Sequence, residues 1–315
     1  MPTERPYRIS GHETFSFRYT WLPKAIRALL SDPRLFSDEE NAMVTLGVGK
    51  NMVRSIRFWS QAAAMVTADP KGGCHHPTEA GAALLGEHGL DPFLEDVRTL
   101  WILHWNLSTD TKTPLLAWDY LLNRWQVPEL TPGKAAAILL KEAEKHAAPV
   151  SAVTLGHHLD TFIHSYCPTR GRRGEIQEDT LDCPLVELEL LVRVGEKEVE
   201  EVSGKREPIY AFRREEKPEI TPELFIYCLG DFWNKHHRNE ETVPLREVAH
   251  GHGSPGQIFK IPEEDIRARL DHLSKHKKAP FAYHDSATLQ QVRRRGNITG
   301  IELLKAIYAA EYIYA

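Results

Sequence analysis

Hydrophobic positions recur at helical spacing through most of this chain. The segment 20–30 places apolar residues three and four positions apart, which predicts an amphipathic helix: Leu22, Ile26, Leu29 and Leu30. The segment 50–66 separates into two faces, and its apolar face spans about 60° around the helix axis: Met52, Ile56, Trp59 and Ala63. Similar segments predict helices over 95–105, 115–125, 135–146, 151–166, 224–233 and 262–276, with short strands over 181–194 and 208–212. The pattern therefore predicts a mainly α-helical protein with small β elements.

The amino-terminal segments follow the order of a winged helix-turn-helix. A capping-box pattern, Ser37 followed by Glu40, predicts that a second helix begins there. The Gly-Val-Gly sequence at 47–49 predicts a turn into the helix that follows. A hairpin is predicted over 66–77, and Thr78 is predicted to cap the next helix. Helix, helix, turn, amphipathic helix, hairpin and helix is the order of this DNA-binding fold.

We expect three domains. Residues 1–110 are predicted to form the winged-helix DNA-binding domain, residues 111–220 a helical middle with a small sheet, and residues 221–315 a helical or winged-helix-like domain. The tryptophans of the middle segments have few basic residues between them, so they are predicted to pack in the core and not to stack on bases: Trp101, Trp105, Trp118 and Trp125.

Composition places the chain among folded globular proteins. It has 315 residues, of which 42% are hydrophobic and 26% charged. Its apolar runs are far shorter than the roughly 18 residues of a membrane helix, and the start of the chain lacks a signal-peptide pattern, so a cytoplasmic location without membrane contact is expected. The net charge of −5 excludes a globally basic protein of the histone type. It does not exclude DNA binding, because basic residues are clustered.

The polar face of the segment 50–66 carries the clearest functional signal. Long cationic and amide side chains on one face of a recognition helix reach phosphates and base edges in the major groove. The predicted DNA-binding residues of this segment are Lys50, Asn51, Arg54, Arg57 and Gln61, and the basic cluster Arg170, Arg172 and Arg173 is predicted to bind DNA as well. A solvated helix face is the alternative interpretation, and the pattern alone leaves both open. A phosphate-binding loop at 47–50 is excluded, because the spacing of its glycines and the residue after the lysine do not match that motif.

Candidate metal ligands occur in two places. A central set of carboxylates follows a basic cluster, an arrangement that suits Mg²⁺ beside a phosphate: Glu178, Asp179 and Asp182 after Arg170, Arg172 and Arg173. A solvated acidic loop is the alternative. Near the amino terminus, His12 and Glu13 precede an aromatic run and are candidates for a general base and metal ligand, or for backbone hydrogen bonding at a helix start. The paired histidines elsewhere lack a third ligand at zinc spacing.

Five ordered motifs resemble a bacterial protein family of unknown function whose genes lie beside sulfurtransferase-like ATP pyrophosphatases in DNA phosphorothioation clusters. They are Gly11-His12-Glu13-Thr14-Phe15, Leu46 to Val53, Thr78-x-x-Gly81, Glu178-Asp179-x-x-x-Asp182-Cys183-Pro184-Leu185, and Ser254-Pro255-Gly256. The resemblance spans nearly the whole chain and is greatest to the DNA-nicking component of single-strand phosphorothioation in anti-phage defence. It implies a Mg²⁺-dependent nick in duplex DNA and, as partners, the ATP pyrophosphatase and an ATPase of the modification machinery.

These observations support three hypotheses. The first is a Mg²⁺-dependent endonuclease that nicks one strand, with His12 and Glu13 as catalytic candidates and the three central carboxylates as metal ligands. The second is a non-catalytic DNA-binding adaptor or regulator that uses the same cationic helix. The third is a scaffold whose winged helices bind proteins. The sequence shows no established nuclease motif that would decide between the first hypothesis and the second.

Overall fold

The computed structural model describes residues 7–146, 150–168, 183–199, 204, 206–286, 289–296 and 300–309. The candidate ligands and cations between residues 170 and 182 lie outside this part of the chain. The polypeptide forms two compact units, the first from Met1–Leu121 and Trp125–Arg213, the second from Leu122–Arg124 and Arg214–Ala315.

The first unit begins with helices and one hairpin. Its leading elements are α1 (Trp21–Ser31), α2 (Glu39–Leu46), α3 (Lys50–Ala62), strands β1 (Val66–Ala68) and β2 (His75–Pro77), and α4 (Glu79–Leu85), with a short 3₁₀ helix over Leu35–Ser37. Strands β1 and β2 pair antiparallel. Trp59 is fully buried at the centre of this region, and its ring lies 5.7 Å from that of Phe17 and 5.8 Å from that of Trp118.

The rest of the first unit is a helical layer and a long hairpin. The helices are α5 (Val97–Ser108), α6 (Leu116–Asn123), α7 (Pro132–Lys145) and α8 (Ala152–Tyr166), followed by a 3₁₀ helix over Pro184–Leu188 and strands β3 (Leu191–Glu198) and β4 (Arg206–Phe212). Strands β3 and β4 pair antiparallel with a register shift between Arg193 and Gly195. Residues 122–124, which include the last two residues of α6, cluster with the second unit.

The second unit places helices around a three-stranded sheet. Its elements are α9 (Pro222–His236), β5 (Thr242–Pro244), α10 (Leu245–His250), α11 (Pro255–Phe259), α12 (Glu263–Lys275), β6 (Phe281–Asp285), β7 (Gln290–Arg294) and α13 (Gly300–Ile307). The strand order is β5-β7-β6, and both pairings are antiparallel. Val292 of the central strand pairs with Val243 and with Tyr283, and its side chain is fully buried.

The mainly helical class with small sheets is confirmed. The order α1-α2-α3-β1-β2-α4 matches the predicted order, and Thr78 caps α4 by accepting the N–H of Gly81. The predicted capping box is wrong: Asp38 caps α2, accepting the N–H groups of Glu40 and Asn41, while the Ser37 hydroxyl donates to the carbonyl of Gly73. The four tryptophans of the middle segments are buried, as predicted. The division into three domains stays a prediction.

No helix in the described part of the chain combines the length and the apolar character required to cross a membrane.

Candidate nucleic-acid interface

Helix α3 starts at an exposed turn. Gly47 ends α2 with a φ of +66°, a left-handed conformation that glycine adopts without strain, and Gly49 precedes α3 in an extended conformation. A Cβ atom added to Gly47 or Gly49 would have no neighbouring atom within 4 Å, so the space beside both glycines is open. Lys50 and Asn51, the first two residues of α3, are exposed. The turn therefore presents the start of α3 to solvent.

The inner side of α3 is fixed to the amino-terminal loop. The Trp59 indole N–H donates to the carbonyl of Phe15 at 2.9 Å, and the Ser55 hydroxyl donates to the carbonyl of His12 at 3.0 Å. Ile56 is fully buried and Ala63 nearly so, which confirms the predicted packing face. Both hydrogen bonds are buried or partly buried, where each contributes about 0.5–1.5 kcal/mol. The helix is thus held rigidly while its other side faces outward.

Two of the predicted DNA-binding cations share one carboxylate. Glu39, in the first turn of α2, accepts from Lys50 Nζ at 2.8 Å and from Arg54 Nε at 2.8 Å. These two partners lower the pKa of Glu39 to about 2, and Glu39 raises the pKa of Arg54. In these contacts the Lys50 side chain is still 56% exposed and the Arg54 side chain 38% exposed. The cations can therefore reach a ligand, but each must first leave Glu39.

The other half of the face contains an arginine that the sequence pattern did not indicate. Arg8 stacks its guanidinium on the ring of Phe58, 4.1 Å from the centroid, and donates to Gln61 Oε1 at 3.4 Å. Burial lowers the pKa of Arg8; the negative charge of Asp110 partly opposes this shift, and the positive charge of Arg57 adds to it. Arg57 is half-buried and makes no ion pair with any residue that the structure describes. Arg8, Arg57 and Gln61 therefore extend one polar face that begins at Lys50.

His12 does not face this surface. Its side chain is 3% exposed, and its ring lies 5.6 Å from Phe58 and 5.4 Å from His158 of α8. Nδ1 of His12 accepts the N–H of Thr14 at 3.2 Å. Nε2 of His158 accepts the N–H of Ala117 at 3.1 Å, at the start of α6. Each histidine thus accepts a backbone N–H with the ring nitrogen that faces away from the other histidine, which we call its outer nitrogen.

The two nitrogens that face each other, Nε2 of His12 and Nδ1 of His158, are the inner nitrogens, and they lie 3.3 Å apart. Because each outer nitrogen accepts a backbone N–H, the hydrogen of each neutral ring is assigned to the inner nitrogen. The contact between the rings therefore joins two donors and adds no hydrogen-bond energy. Burial lowers the pKa of His12 to about 4 and that of His158 to about 3. Both rings are neutral at pH 7.

Glu13 turns away from His12. Glu13 and Thr14 have φ values of +50° and +65°, a conformation that costs non-glycine residues of order 1–3 kcal/mol each. This backbone directs His12 inward, while the half-buried Glu13 carboxylate lies close enough to Arg54 to favour its charged form. The structure therefore places Glu13 beside the cationic face and does not bring it together with the His12 ring.

The described residues do not assemble a magnesium site. No group of three or more histidine, cysteine, aspartate or glutamate side chains in this part of the chain could hold a metal ion. His12 does not suit Mg²⁺, which prefers oxygen ligands, because its outer nitrogen is occupied and its inner nitrogen carries a hydrogen. The predicted ligands and the central basic cluster lie outside the described residues: Glu178, Asp179, Asp182, Arg170, Arg172 and Arg173.

The sequence matches a family model over nearly its whole length. The matching family is "Protein of unknown function (DUF4007)", and the match covers residues 9–308. The chain therefore belongs to the DUF4007 family.

Two crystal structures share this fold, and both are of SspB. One is similar over 96% of this chain and 88% of that chain, with 25% sequence identity and a TM-score of 0.80. The other, of SspB bound to a magnesium ion, covers 94% of this chain and 85% of that chain, with 24% identity and a TM-score of 0.78. A comparison with curated protein sequences gives no significant match.

Proposed function

We propose that this protein binds duplex DNA through the outward face of α3 and nicks one strand during phosphorothioate modification. The observation that carries the proposal is the exposed start of α3, where Lys50 and Asn51 lead into a face that continues through Arg57 and Arg8. Arginine and asparagine are the side chains that read guanine and adenine edges, and lysine contacts phosphates.

The local architecture supports DNA binding. Three helices, a hairpin and a further helix follow in the order of a winged helix-turn-helix, and in that arrangement α3 would be the recognition helix and β1–β2 the wing. The start of α3 has no side-chain cap and no acidic residue in its first turn. Its unpaired N–H groups and the helix dipole favour a phosphate oxygen at this end.

The similarity to SspB supports a role in phosphorothioation. The motifs at residues 11–15 and 46–53 resemble the nicking component of such a system, and both motifs lie in the region just described. One of the SspB structures contains magnesium. By this analogy the partners are duplex DNA and the modification proteins, a sulfurtransferase-like ATP pyrophosphatase and an ATPase.

A nick requires water to attack a phosphorus atom while the P–O bond to the leaving oxygen breaks and that oxygen takes a proton from solvent. We assign to Glu13 the acceptance of the water proton, because this carboxylate lies beside the cationic face. Arg57 would hold the phosphate by charge. His12 is assigned a positioning role, since its hydrogen bond to Thr14 holds the strained loop that directs Glu13 outward. Magnesium binding is assigned to Glu178, Asp179 and Asp182, outside the described residues.

DNA binding is tested by fluorescence anisotropy of a labelled duplex in EDTA, so that binding is measured without cleavage. Arg57→Ala should weaken binding about 5- to 100-fold and flatten the plot of log affinity against log salt by about one unit. The matched control is Arg246→Ala, which removes an exposed arginine of the second unit. Equal effects of the two variants, or an affinity that does not depend on salt, would contradict the proposed interface.

Nicking is tested with supercoiled plasmid and purified protein in Mg²⁺, which should give open circles that EDTA prevents. Glu13→Gln should reduce the nicking rate at least 100-fold without weakening DNA binding, because loss of a catalytic base costs about that much. Glu40→Gln, at an exposed carboxylate of α2, is the control. Asp182→Asn should raise the Mg²⁺ concentration required for half-maximal rate.

A non-catalytic adaptor is the second candidate, and the observation in its favour is the lack of any metal-holding group among the described residues. An adaptor would bind DNA with the same salt dependence and leave supercoiled plasmid intact at every Mg²⁺ concentration. That pair of results would replace the nicking proposal and retain the interface.

A further inference from the structure

The second unit carries a basic surface that the proposed function does not use. It consists of five exposed cations from two segments, Lys275, Lys277, Lys278, Arg293 and Arg295, which we call the carboxyl-terminal basic patch. Neither of the segments 275–279 and 290–296 contains an acidic residue. Separate in sequence, they lie together at one end of the three-stranded sheet.

The first segment is a tight turn. The N–H of Ala279 donates to the carbonyl of His276 at 3.0 Å, which places Lys277 and Lys278 at the two central positions of the turn. Arg295 Nη1 donates to the same His276 carbonyl at 3.4 Å, and the Arg295 N–H donates to the carbonyl of Pro280 at 2.7 Å. These bonds fix the end of β7 against the turn and bring the two segments together.

The strand register separates the arginines by face. Val292 faces the core, so its neighbour Arg293 lies on the opposite, outer face, where Arg295 follows two residues later. Arg294 faces inward and donates to Asn234 Oδ1 of α9 at 2.8 Å. The sheet therefore presents Arg293 and Arg295 on the outer face, beside the lysines of the turn.

The five cations make no ion pair within the part of the chain that the structure describes. The arginines of α12 differ in this respect, because Arg267 pairs with Glu263 at 3.5 Å and Arg269 with Asp265 at 3.0 Å. Unpaired cations held this close repel one another, and an anionic ligand relieves that repulsion. The contrast points to the patch, and not to α12, as the charged contact surface of this unit.

The position of the patch in the fold indicates the kind of ligand. The elements of the second unit follow the order of a winged helix. They are a helix, a strand, further helices and a β-hairpin, and the first strand pairs with the last. In that order α12 would be the recognition helix, but its first turn contains Glu263, Glu264 and Asp265, which would repel phosphates in a groove. The hairpin and the adjoining turn remain as the surface for a DNA backbone.

We propose that the carboxyl-terminal basic patch binds the phosphodiester backbone of duplex DNA without reading its sequence. The proposal rests on the proposed function for the choice of DNA as ligand, and it adds a second contact surface. Lysines at a turn and exposed arginines at the end of a strand contact phosphates by charge and lack the helix geometry that reads base edges. Each phosphate neutralised releases counterions and steepens the salt dependence by about 0.9 units.

The test reverses two charges of the patch in the full-length chain. Lys277→Glu with Lys278→Glu should weaken binding to a 30-base-pair duplex at least about tenfold and flatten the salt plot by about two units. The matched control reverses two exposed cations elsewhere in the same unit, Arg246→Glu with Lys305→Glu, and so has the same net charge. Both are measured in EDTA with several unrelated duplex sequences, and the loss should be the same for each sequence.

The outcomes separate this inference from the proposed function. If the wild-type chain does not bind DNA, the proposed function fails and the inference fails with it. If the wild type binds and Arg57→Ala weakens binding, while the patch variant equals its charge-matched control, the inference alone is overturned. Self-association of the wild type, seen by light scattering and abolished by the patch variant without any loss of DNA affinity, would assign the patch to a second copy of this chain and also overturn it.

Discussion

Protonation of the buried histidine pair should destabilise the first unit in acid. His12 and His158 lie side by side between the amino-terminal loop, α6 and α8, and each is neutral with its outer nitrogen bonded to a backbone N–H. A proton added to either ring would break that bond and place a charge in a buried site. The native state therefore resists protonation at pH values where the unfolded chain accepts it.

The magnitude follows from the native pKa values of about 4 for His12 and about 3 for His158. An unfolded histidine has a pKa near 6.5, so the unfolded state binds more protons below that pH. Each depressed pKa costs the folded state about 2 kcal/mol at pH 5 and about 0.2 kcal/mol at pH 7. The stability that the neutral pair contributes is thus complete above about pH 6.5 and is lost as the pH falls towards 4.

The direct assay is an NMR titration of the histidine ring signals, with the neutral tautomer identified from the ¹⁵N shifts. We expect hydrogen on Nε2 of His12 and on Nδ1 of His158, and no titration of either ring above pH 5. Urea unfolding at pH 7 and pH 5 should then show a loss of up to about 4 kcal/mol from the pair. Variants that keep an acceptor for the backbone N–H isolate each ring: His12→Asn and His158→Gln.

Each of these variants should recover up to about 2 kcal/mol of the acid-induced loss, because an amide does not titrate. A midpoint near pH 6.5 for both rings, or an unchanged acid sensitivity in both variants, would refute the reasoning. The opposite tautomers would also refute it, since the two backbone donors would then have no acceptor. Burial lowers the pKa of His75 and His164 as well, so the differences between variants, and not the total pH dependence, decide the result.

Three further predictions address other parts of the chain. Glu39→Gln releases the two cations of α3 and should tighten DNA binding severalfold at low salt, measured by anisotropy. Gly81→Ala would place a Cβ 2.2 Å from the Met65 carbonyl oxygen and should destabilise the first unit by about 1–3 kcal/mol in urea unfolding, whereas Gly156→Ala, with nothing within 4 Å, should stabilise it by about 0.5–1 kcal/mol. Burial lowers the pKa of Lys260 to about 7, so stability should rise by about 2 kcal/mol from pH 7 to pH 9, and Lys260→Met should abolish that rise.

Helical periodicity predicted most of the element order because burial of one face imposes it locally. Ile56, Trp59 and Ala63 of the predicted apolar face are buried while Met52 is half-buried, and the predicted turn at Gly47 ends α2. The exact start of α2 was not predictable, because Ser37 and Asp38 both suit an N-cap position. The hairpin decides between them, since the Gly73 carbonyl accepts the Ser37 hydroxyl and leaves Asp38 to cap the helix.

The candidate site was only partly predictable, because its charges are set by contacts between distant segments. Arg8 comes to Gln61 across 53 positions of sequence, and its only local signal is the aromatic Phe58 on the polar side of the α3 pattern. Glu39 neutralises Lys50 and Arg54 through the packing of α2 on α3, which no single-helix pattern contains. The inward direction of His12 depends on two left-handed residues after it, and neither of them is glycine.

Glu39 also affects how the proposed interface would select its DNA. Each cation must exchange this carboxylate for a DNA group, and exposed ion pairs of this kind contribute little to stability. A bidentate contact to a guanine edge discriminates against the wrong base by about 1–3 kcal/mol, which exceeds that cost. A single phosphate contact in salt gains less and is largely offset. The carboxylate therefore weakens non-specific binding more than specific binding, so Glu39→Gln should tighten binding to unrelated duplexes while it lowers the ratio of specific to non-specific affinity.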